Sequence, residues 1–433
     1  MTKNNNTPLS GRFNIGQDWA SVVTGFVLII FVVLTGYAIA TPSFGGKAGW
    51  DGDHDFSGML GASSLWTSAL YTFVIFGLIA VIGMILSGEK LKKYLTGFLS
   101  LFLLAILAQF ISSYAGFKNM GLETVLFSLL LGLIIGNVFK LPVWLRSGVQ
   151  TELYVKIGLV LLGATILFKD IMKAGSFGLI QAVIVVTVVW YFAFWLSKKM
   201  KVDDEFSTML ASAVSICGVS AAIATAGAIN GDKKKLSFII SLVLLIAIPM
   251  MIFLPIIAKW MGLSDVVTGA WLGGTIDTTG AVVAAGTIAG ETGLQYATIV
   301  KFSQNVLLGL AAFAISIFWA YRNRTAGERG QHVPVRIIWD RFPKFVLGFI
   351  LASLVFSFIL SPETAQSSGK VIKSFSTFWF NLAFVSIGLE TRFADFRHIE
   401  SKKPFYSFLI AQTFNIFFTL GVSYLLFQLI GGK

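Results

Sequence analysis

The sharpest candidate for chemistry in this 433-residue chain is an acidic residue inside an apolar stretch. Asp277 lies in WLGGTIDTTGAVVAAG, where Thr275, Thr278 and Thr279 place three hydroxyl groups close to it. A carboxylate at the centre of a membrane-spanning helix costs roughly 2.5–3.5 kcal/mol on insertion scales, so its presence indicates a function. We expect Asp277 to coordinate a cation or to carry a coupled proton. The alternative is that it caps a half-helix by accepting from free N–H groups.

A second set of polar side chains lies on one face of a helix predicted over 294–320. In ATIVKFSQNVLLGL, Lys301, Gln304 and Asn305 are spaced i, i+3 and i+4, which places them side by side on a helix. This face favours a polar cavity in which the ammonium of Lys301 meets an anionic substrate. The alternative is that Lys301 extends its side chain to the membrane interface.

A third candidate is the small-residue segment SICGVSAAIATAGAI. A helix broken at Gly218 would point free backbone N–H groups at an anion, with hydroxyl groups from the same segment beside them. The residues that would contribute are Ser215, Cys217, Gly218, Ser220 and Thr225. The alternative is tight helix packing through small residues. Cys217 is the one cysteine of the chain and is expected to fill space rather than act as a nucleophile.

These residues must be positioned by membrane-spanning helices, as the composition indicates. Apolar residues make up 56% of the chain and charged residues 12%, against about 25% charged in a soluble domain. Stretches of about 20 apolar residues predict an all-α polytopic membrane protein. The net charge of +12 fits lysine and arginine on the cytoplasmic side and does not indicate nucleic-acid binding. We find no zinc, Walker or nucleophile-elbow motif, so we expect neither a metal, a cofactor nor an enzyme.

Hydropathy predicts about 11–13 hydrophobic segments after a cytosolic leader. With the N-terminus inside, the loop charges follow the positive-inside rule through six helices. They continue to do so if 207–229 and 265–290 are re-entrant hairpins that enter from opposite sides, broken at Gly218 and Gly274. The alternative is that both segments span, and only the lysine run 233–235 separates the two topologies.

An internal repeat adds to this picture. VLLGATILFKDI, from Val160, matches VSIGLETRFADF, from Val385, and Gly163 pairs with Gly388 at the same offset of 225 (388 − 163). The repeats cover about 121–197 and 342–430 and run in opposite directions across the membrane. Inverted repeats with broken helices at the midplane are typical of secondary transporters.

Five ordered motifs carry a family resemblance: IGLVLLGATILFKDIMKAG, SICGVSAAIATAGAI, WLGGTIDTTGAVVAAG, FPKFVLGFILASLVFS and LAFVSIGLETRFADFRHIESKKPF. They resemble successive motifs of the sulfate exporter family of bacterial inner-membrane proteins. The resemblance implies a secondary transporter related to the cation–proton antiporter superfamily, with a core that moves elevator-like against a scaffold, and a homodimer. It covers 95–433 as the transporter core, and 1–94 would add the leader and two accessory helices.

The chain departs from this family at one place. Where relatives read close to G-T-S-I-H-E-V-A-Q-V, this chain has Asp277 and Thr278 in place of His-Glu, and Ala281 in place of Gln. Sulfate therefore cannot be carried over directly, and the coupling ion can differ as well.

The sequence predicts a secondary transporter of a small anion, such as sulfate or a sulfonate-like oxyanion, coupled to Na⁺ or H⁺ through Asp277. The expected substrate-binding residues are Ser215, Cys217, Gly218, Ser220, Thr225, Gly274, Thr275, Thr278, Thr279, Lys301, Gln304 and Asn305. One alternative is a cation–proton antiporter without an anionic substrate. The other is a membrane sensor subunit that binds a ligand without moving it.

Overall fold

A computed structural model describes residues 15–36, 41–44, 49–51, 62–89, 91, 93–119, 124–325, 339, 342–391 and 402–431. Within these ranges the chain is almost entirely helical, and eight helices are long and apolar enough to cross a membrane. The prediction of an all-α polytopic membrane protein is confirmed. Most of the predicted leader and of the arginine-rich loop after 325 lie outside the described residues.

The helices follow the chain in this order: α1 Gln17–Thr35, α2 Ser63–Leu86, α3 Tyr94–Ser112, α4 Ala115–Asn119, α5 Thr124–Val138, α6 Val143–Gly148, α7 Thr151–Gly163, α8 Phe168–Lys199, α9 Asp204–Ser212, α10 Val219–Ile229, α11 Lys233–Trp260, α12 Asp265–Thr275, α13 Thr279–Ile288, α14 Glu291–Thr325, α15 Lys344–Leu354, α16 Pro362–Glu390 and α17 Lys402–Ser423. Three of them, α9, α15 and α17, continue as π-helical turns over Ala213–Cys217, Val355–Ile359 and Tyr424–Ile430.

The helices divide into two compact units. Unit 1 comprises 1–119, 140–165 and 344–386, and unit 2 comprises 120–139, 166–343 and 387–433. Each unit is therefore assembled from separate stretches of sequence. The predicted polar segments both lie in unit 2.

Unit 1 is held together by a partly buried ion pair and by close helix packing. In α1, the Asp18 carboxylate lies 3.0 Å from Lys156 Nζ of α7 and accepts a 2.9 Å hydrogen bond from the Lys344 backbone N–H at the start of α15. A β-carbon at Gly348 would lie 2.9 Å from Val22 Cγ2, so α15 and α1 need glycine to approach this closely. The predicted accessory helix α1 is thus an integral part of this unit.

Hairpin 1 of unit 2 consists of α9, its π-turn and α10, and it reverses direction at Gly218. The N-caps at its base are provided by Asp203, which accepts from the Phe206 N–H, and by Asp232, which accepts from the N–H groups that begin α11. Lys235 ties the start of hairpin 1 to the start of α11, which follows the end of the hairpin, because its Nζ lies 2.7 Å from Asp203 and 3.1 Å from Glu205. Hairpin 1 therefore begins and ends at the same end of α11.

Hairpin 2 consists of α12 and α13 and reverses direction over 276–278. Ser264 caps α12 by accepting from the Val267 N–H. The start of α14 packs on both ends of hairpin 2, since a β-carbon at Gly269 would lie 2.8 Å from Tyr296 Cβ, and one at Gly286 would lie 2.8 Å from Leu294 Cα. The 28 residues of α11 separate hairpin 2 from hairpin 1, so the two hairpins point toward each other.

One sequence expectation changes in the structure. Gly274 does not break the second segment: it lies inside α12, where a β-carbon would lie 2.7 Å from Thr419 Cγ2. The break comes at Ile276, which has extended backbone angles (φ −74°, ψ 131°).

Candidate functional site

The tips of the two hairpins meet at Gly218 and Asp277. Gly218 has a positive φ of 60° with ψ −113°, a conformation that side chains rarely adopt. A β-carbon there would lie 3.0 Å from Asp277 Cβ and 2.7 Å from Val243 Cγ1. Glycine is therefore required twice, for the backbone reversal and for the contact between the tips. The predicted break at Gly218 is where the structure places it.

Lys301 of α14 joins the carbonyl ends of both hairpin tips. Its ammonium donates 2.8 Å hydrogen bonds to the backbone oxygens of Ile216 and Ile276, and a 3.0 Å bond to Gln304 Oε1. The side chain is 1% exposed. An ammonium has three protons, and all three are donated inside the protein. Lys301 was expected to face an anion, and the structure uses it to join the hairpins.

The other two polar residues of this face also hold hairpin 2. Gln304 Nε2 donates to the Gly274 backbone oxygen at 2.8 Å, and Asn305 Nδ2 donates to Thr279 Oγ1 at 3.2 Å. The i, i+3, i+4 pattern thus predicted the correct face of α14. Its role in the structure is to satisfy the carbonyl end of α12 and the first residue of α13.

Two residues of α17 complete the site and were missed from the sequence. Asn415 Nδ2 donates to the backbone oxygens of Val214 in hairpin 1 (3.1 Å) and Thr275 in hairpin 2 (3.2 Å). Gln412 Nε2 donates to the same Thr275 oxygen at 3.0 Å. Asn415 thus joins the two tips as Lys301 does, but from a different helix.

A signal for these residues was present in the sequence. Gln412, Asn415, Thr419 and Ser423 are spaced by three and four residues along α17, which puts four polar side chains on one face of an apolar helix. All four are buried. The face continues to Gln181 of α8, whose Oε1 accepts from Ser423 Oγ at 3.1 Å. A polar stripe on an apolar helix predicts contact with a polar neighbour, and here that neighbour is hairpin 2.

Asp277 lies where the two tips meet, and its carboxylate oxygens accept no hydrogen bond from the described residues. The residue is 1% exposed. The Lys301 ammonium and the Gln412 amide are the neighbouring groups that act on its charge. Buried carboxylates are normally paired or fully hydrogen-bonded, so an unpartnered one is a candidate for ligand or proton binding.

The remaining predicted residues fall into three groups. Ser215 and Cys217 are buried in the π-turn that leads to the tip of hairpin 1. Thr278 caps α13 by accepting from the Ala281 N–H, and Thr279 follows it at the tip of hairpin 2. Thr225 is buried farther along α10, about 10 Å from Gly218 at the helical rise, so the structure does not bring it to the tips.

The exposure of the tips differs between their carbonyl and N–H ends. The carbonyl ends of the π-turn and of α12 are covered by Lys301 and Asn415. At the N–H end of α10, the N-cap is Gly218, which has no side chain to accept from the first turn, and Ser220 in that turn is exposed. Helix N-termini carry roughly +0.5 of an elementary charge, so this end can accept an anion.

Within the described ranges, no three histidine, cysteine, aspartate or glutamate side chains lie together. The described residues therefore do not support a metal site built from such ligands. The one cysteine, Cys217, is a buried thiol beside the tip of hairpin 1. The chemistry of this site is therefore that of one carboxylate, one ammonium, side-chain amides and helix ends.

Comparison with known proteins gives consistent matches to membrane proteins. A UPF0324 membrane protein of Rhodopirellula baltica is 40% identical over 380 residues, which cover 85% of this chain and 69% of the relative. Two UPF0324 membrane proteins of Nitratidesulfovibrio vulgaris are 38% and 37% identical, over 85% and 84% of this chain and 66% and 65% of their own length. The chain thus spans about two thirds of the length of these relatives.

No solved structure matches the chain. The family model described as "Conserved hypothetical protein 698" matches residues 96–407, which include both hairpins and α14. The multi-pass helical structure agrees with the description of the relatives as membrane proteins. The chain belongs to this family of UPF0324 membrane proteins.

Proposed function

We propose that this protein is a secondary active transporter of a small anion, such as sulfate or a sulfonate-like oxyanion, coupled to Na⁺ or H⁺. The observation that carries the proposal is the meeting of two opposed, broken helical hairpins at Gly218 and Asp277. Discontinuous helices whose ends converge on one point are the arrangement in which secondary transporters hold substrates and coupling ions. This arrangement supports the proposal of transport rather than catalysis.

The lengths of the half-helices support a position inside the membrane. The helices α10, α12 and α13 contain 11, 11 and 10 residues, so each is about 15–17 Å long, roughly half of a 30 Å hydrocarbon core. We propose that hairpin 1 enters from the cytoplasmic side and hairpin 2 from the other side of a bacterial inner membrane. The lysines at the base of hairpin 1 and a cytoplasmic N-terminus then satisfy the positive-inside rule.

The anion in this proposal binds at the N–H ends of α10 and α13. The carbonyl ends of the preceding half-helices are already satisfied by Lys301, so the charge that remains at the tips is the positive end of two helix dipoles. Ser220 and Thr279, in the first turns of α10 and α13, supply hydroxyl groups beside these N–H groups. Such a site prefers compact oxyanions, because these accept several N–H bonds at once.

A cation–proton antiporter without an anionic substrate is the second candidate. It is favoured by Asp277, which is buried and lacks a hydrogen-bond donor among the residues that the structure describes. In this case, Asp277 would exchange a cation for a proton, and the N–H ends would only stabilise its negative charge. The two candidates differ in whether an anion crosses the membrane.

Flux measurements in proteoliposomes separate the candidates. We expect radiolabelled sulfate or a small sulfonate to exchange across vesicles that contain the protein, and an imposed Na⁺ or H⁺ gradient to accelerate this exchange. Asp277→Asn should abolish the response to the gradient, whereas Asp265→Asn, at the exposed base of the same hairpin, should not. Gradient-driven cation exchange without any anion flux would select the antiporter and end the proposal of anion transport.

The predicted homodimer is retained as part of this proposal. Chemical cross-linking of the protein in native membranes would test it. A monomer in membranes that still catalyses flux would remove the dimer while leaving the transport proposal intact.

A further inference from the structure

Four side-chain oxygens at the tip of hairpin 2 share one property. They are both carboxylate oxygens of Asp277, the hydroxyl oxygen of Thr275 and Oε1 of Gln412, and none has a hydrogen-bond partner within the described ranges. Each of the three residues is 1% exposed. Buried polar atoms are nearly always satisfied, so four unsatisfied oxygens at one tip require an explanation.

The three residues are held close to one another. Thr275 ends α12, Asp277 follows it in the extended linker, and Gln412 Nε2 donates to the Thr275 backbone oxygen at 3.0 Å. The Gln412 side chain also lies close enough to the Asp277 carboxyl group to act on its charge. Neither carboxylate oxygen accepts a bond of full hydrogen-bond geometry. The amide nitrogen of Gln412 is fixed by its bonds to the Thr275 oxygen and to Met250 Sδ, and its oxygen has no donor within the described ranges.

Lys301 does not neutralise Asp277 through a hydrogen bond. Its three protons are donated to Ile216, Ile276 and Gln304, two of which present the carbonyl ends of helical turns. Each carbonyl end carries roughly −0.5 of an elementary charge, so together they offset the charge of one ammonium. The negative charge of Asp277 is then balanced only by the N–H ends of α10 and α13. Once an anion occupies those ends, the charge of Asp277 is left for another cation to balance.

The chemistry of the four oxygens selects the kind of cation. One proton on Asp277 would form one hydrogen bond and would leave the other oxygens without a partner. Alkali and alkaline-earth cations prefer oxygen ligands and take several at once. A single carboxylate with neutral hydroxyl and amide oxygens balances one positive charge, which favours a monovalent ion. Of the two coupling ions in the proposed function, Na⁺ and H⁺, only Na⁺ takes several oxygen ligands at once.

We propose that Asp277, Thr275 and Gln412 form a binding site for a dehydrated Na⁺ ion at the tip of hairpin 2. The inference rests on the proposed transport function and assigns its coupling ion and the ligands of that ion. Anion and cation then occupy different parts of the same tips, with the anion at the N–H ends of α10 and α13 and Na⁺ on the oxygens beside the end of α12. Thr275 and Gln412 acquire roles as ion ligands.

The test uses the single cysteine of the chain as a reporter. Cys217 directly precedes Gly218, which contacts Asp277, so a bound ion that closes the tips should slow the alkylation of its thiol. The purified protein is measured in NaCl, KCl and choline chloride at one ionic strength and one pH. At ten times the dissociation constant, Na⁺ should slow alkylation about 10-fold, because only about a tenth of the molecules remain ion-free. The thermal unfolding midpoint should rise in NaCl alone.

Three variants decide the outcome. Asp277→Asn should lose both Na⁺ responses, and Thr275→Val, which removes one ligand and keeps the side-chain shape, should need at least about ten times more Na⁺, as expected for loss of about 1.4 kcal/mol of binding. Asp265→Asn, the same change at the exposed base of hairpin 2, should respond like the wild type. If Asp277→Asn does not fold, Thr275→Val alone decides.

Several results would overturn the sodium site. These are equal responses in the three salts, a full Na⁺ response in Asp277→Asn or in Thr275→Val, or a response to pH alone, which would assign Asp277 to a proton. Anion flux measured on the same preparation keeps the two proposals apart. Flux that ignores Na⁺ overturns the sodium site and leaves the transporter, whereas a Na⁺ response with no anion flux leaves the site and ends the anion transporter.

Discussion

The ammonium of Lys301 donates to the backbone oxygen of Ile276 at 2.8 Å, at the point where α12 ends. An equal bond reaches Ile216, so one side chain of α14 holds the tips of both hairpins. A residue that the sequence suggests as a substrate ligand therefore fixes the geometry of the site. This relation between α14 and the two hairpins explains how two short, broken helices can keep a defined arrangement inside a membrane.

Replacing Lys301 with methionine should unfold the tips. The change leaves two backbone oxygens and Gln304 Oε1 without a donor, and removing one partner of a buried charged network costs about 3–5 kcal/mol. We expect a large fall in the thermal midpoint and no flux. Lys259→Met is the control, since Lys259 is exposed in the last turn of α11 and its loss should change stability by less than about 0.5 kcal/mol. A Lys301→Met protein of unchanged stability would contradict this role.

Sequence reasoning located the site better than it assigned the roles within it. Asp277 and Gly218 were identified because an acid in an apolar stretch and a glycine among small residues are local signals, and the structure brings them into contact. The backbone partners of Lys301 were not predicted, because a charge on an apolar helix reveals burial, whereas its hydrogen bonds depend on two segments 85 and 25 residues away. Such long-range pairing is not encoded in local pattern.

The break in hairpin 2 shows a second limit. Gly274 was expected to end the helix because glycine weakens helices, but here it allows α12 to pack closely on α17 near Thr419. The helix instead continues to Thr275 and breaks at Ile276, where the carbonyl groups of these two residues receive donors from Asn415 and Lys301. Tertiary hydrogen bonds therefore decided where the helix stops.

Asn415→Leu should loosen the two hairpins without removing charge. The change deprives the backbone oxygens of Val214 and Thr275 of a donor, although Gln412 continues to serve Thr275, so we expect a loss of about 1–3 kcal/mol. Alkylation of Cys217 should become faster. Thr413→Val, on the exposed face of the same helix, is the control, because its hydroxyl bonds only to its own helix. Unchanged alkylation in Asn415→Leu would show that Asn415 does not join the tips.

Lys235→Ala tests whether the base of hairpin 1 contributes as much to the stability of the protein as its tip does. The Lys235 side chain is 35% exposed, and exposed ion pairs contribute about 0–1 kcal/mol. We expect a small loss of stability that disappears at high salt, with flux within about twofold of the wild type. Thermal midpoints measured at two ionic strengths check this. A loss as large as that of Lys301→Met would mean that the closure of the base, and not the contact of the tips, holds hairpin 1.

Gly218→Ala should separate backbone strain from the contact between the tips. An added β-carbon would meet Val243 Cγ1 at 2.7 Å, and overpacking of this kind costs about 1–3 kcal/mol. The positive φ adds at least about 1–2 kcal/mol of strain for any residue with a side chain, because ψ of −113° lies outside the left-handed helical region. Gly262→Ala is a matched control, because Gly262 has a φ of +66° and nothing within 4 Å of its added carbon. In Gly262→Ala, strain alone should lower the free energy of unfolding, and flux should be unchanged. In Gly218→Ala, strain and overpacking should both lower it, and flux should be lost.

Combining Gly218→Ala with Val243→Ala opens space for the new carbon and should restore part of the flux. Equal effects of the two glycine substitutions would show that the contact between Gly218 and the opposite tip is not needed for transport.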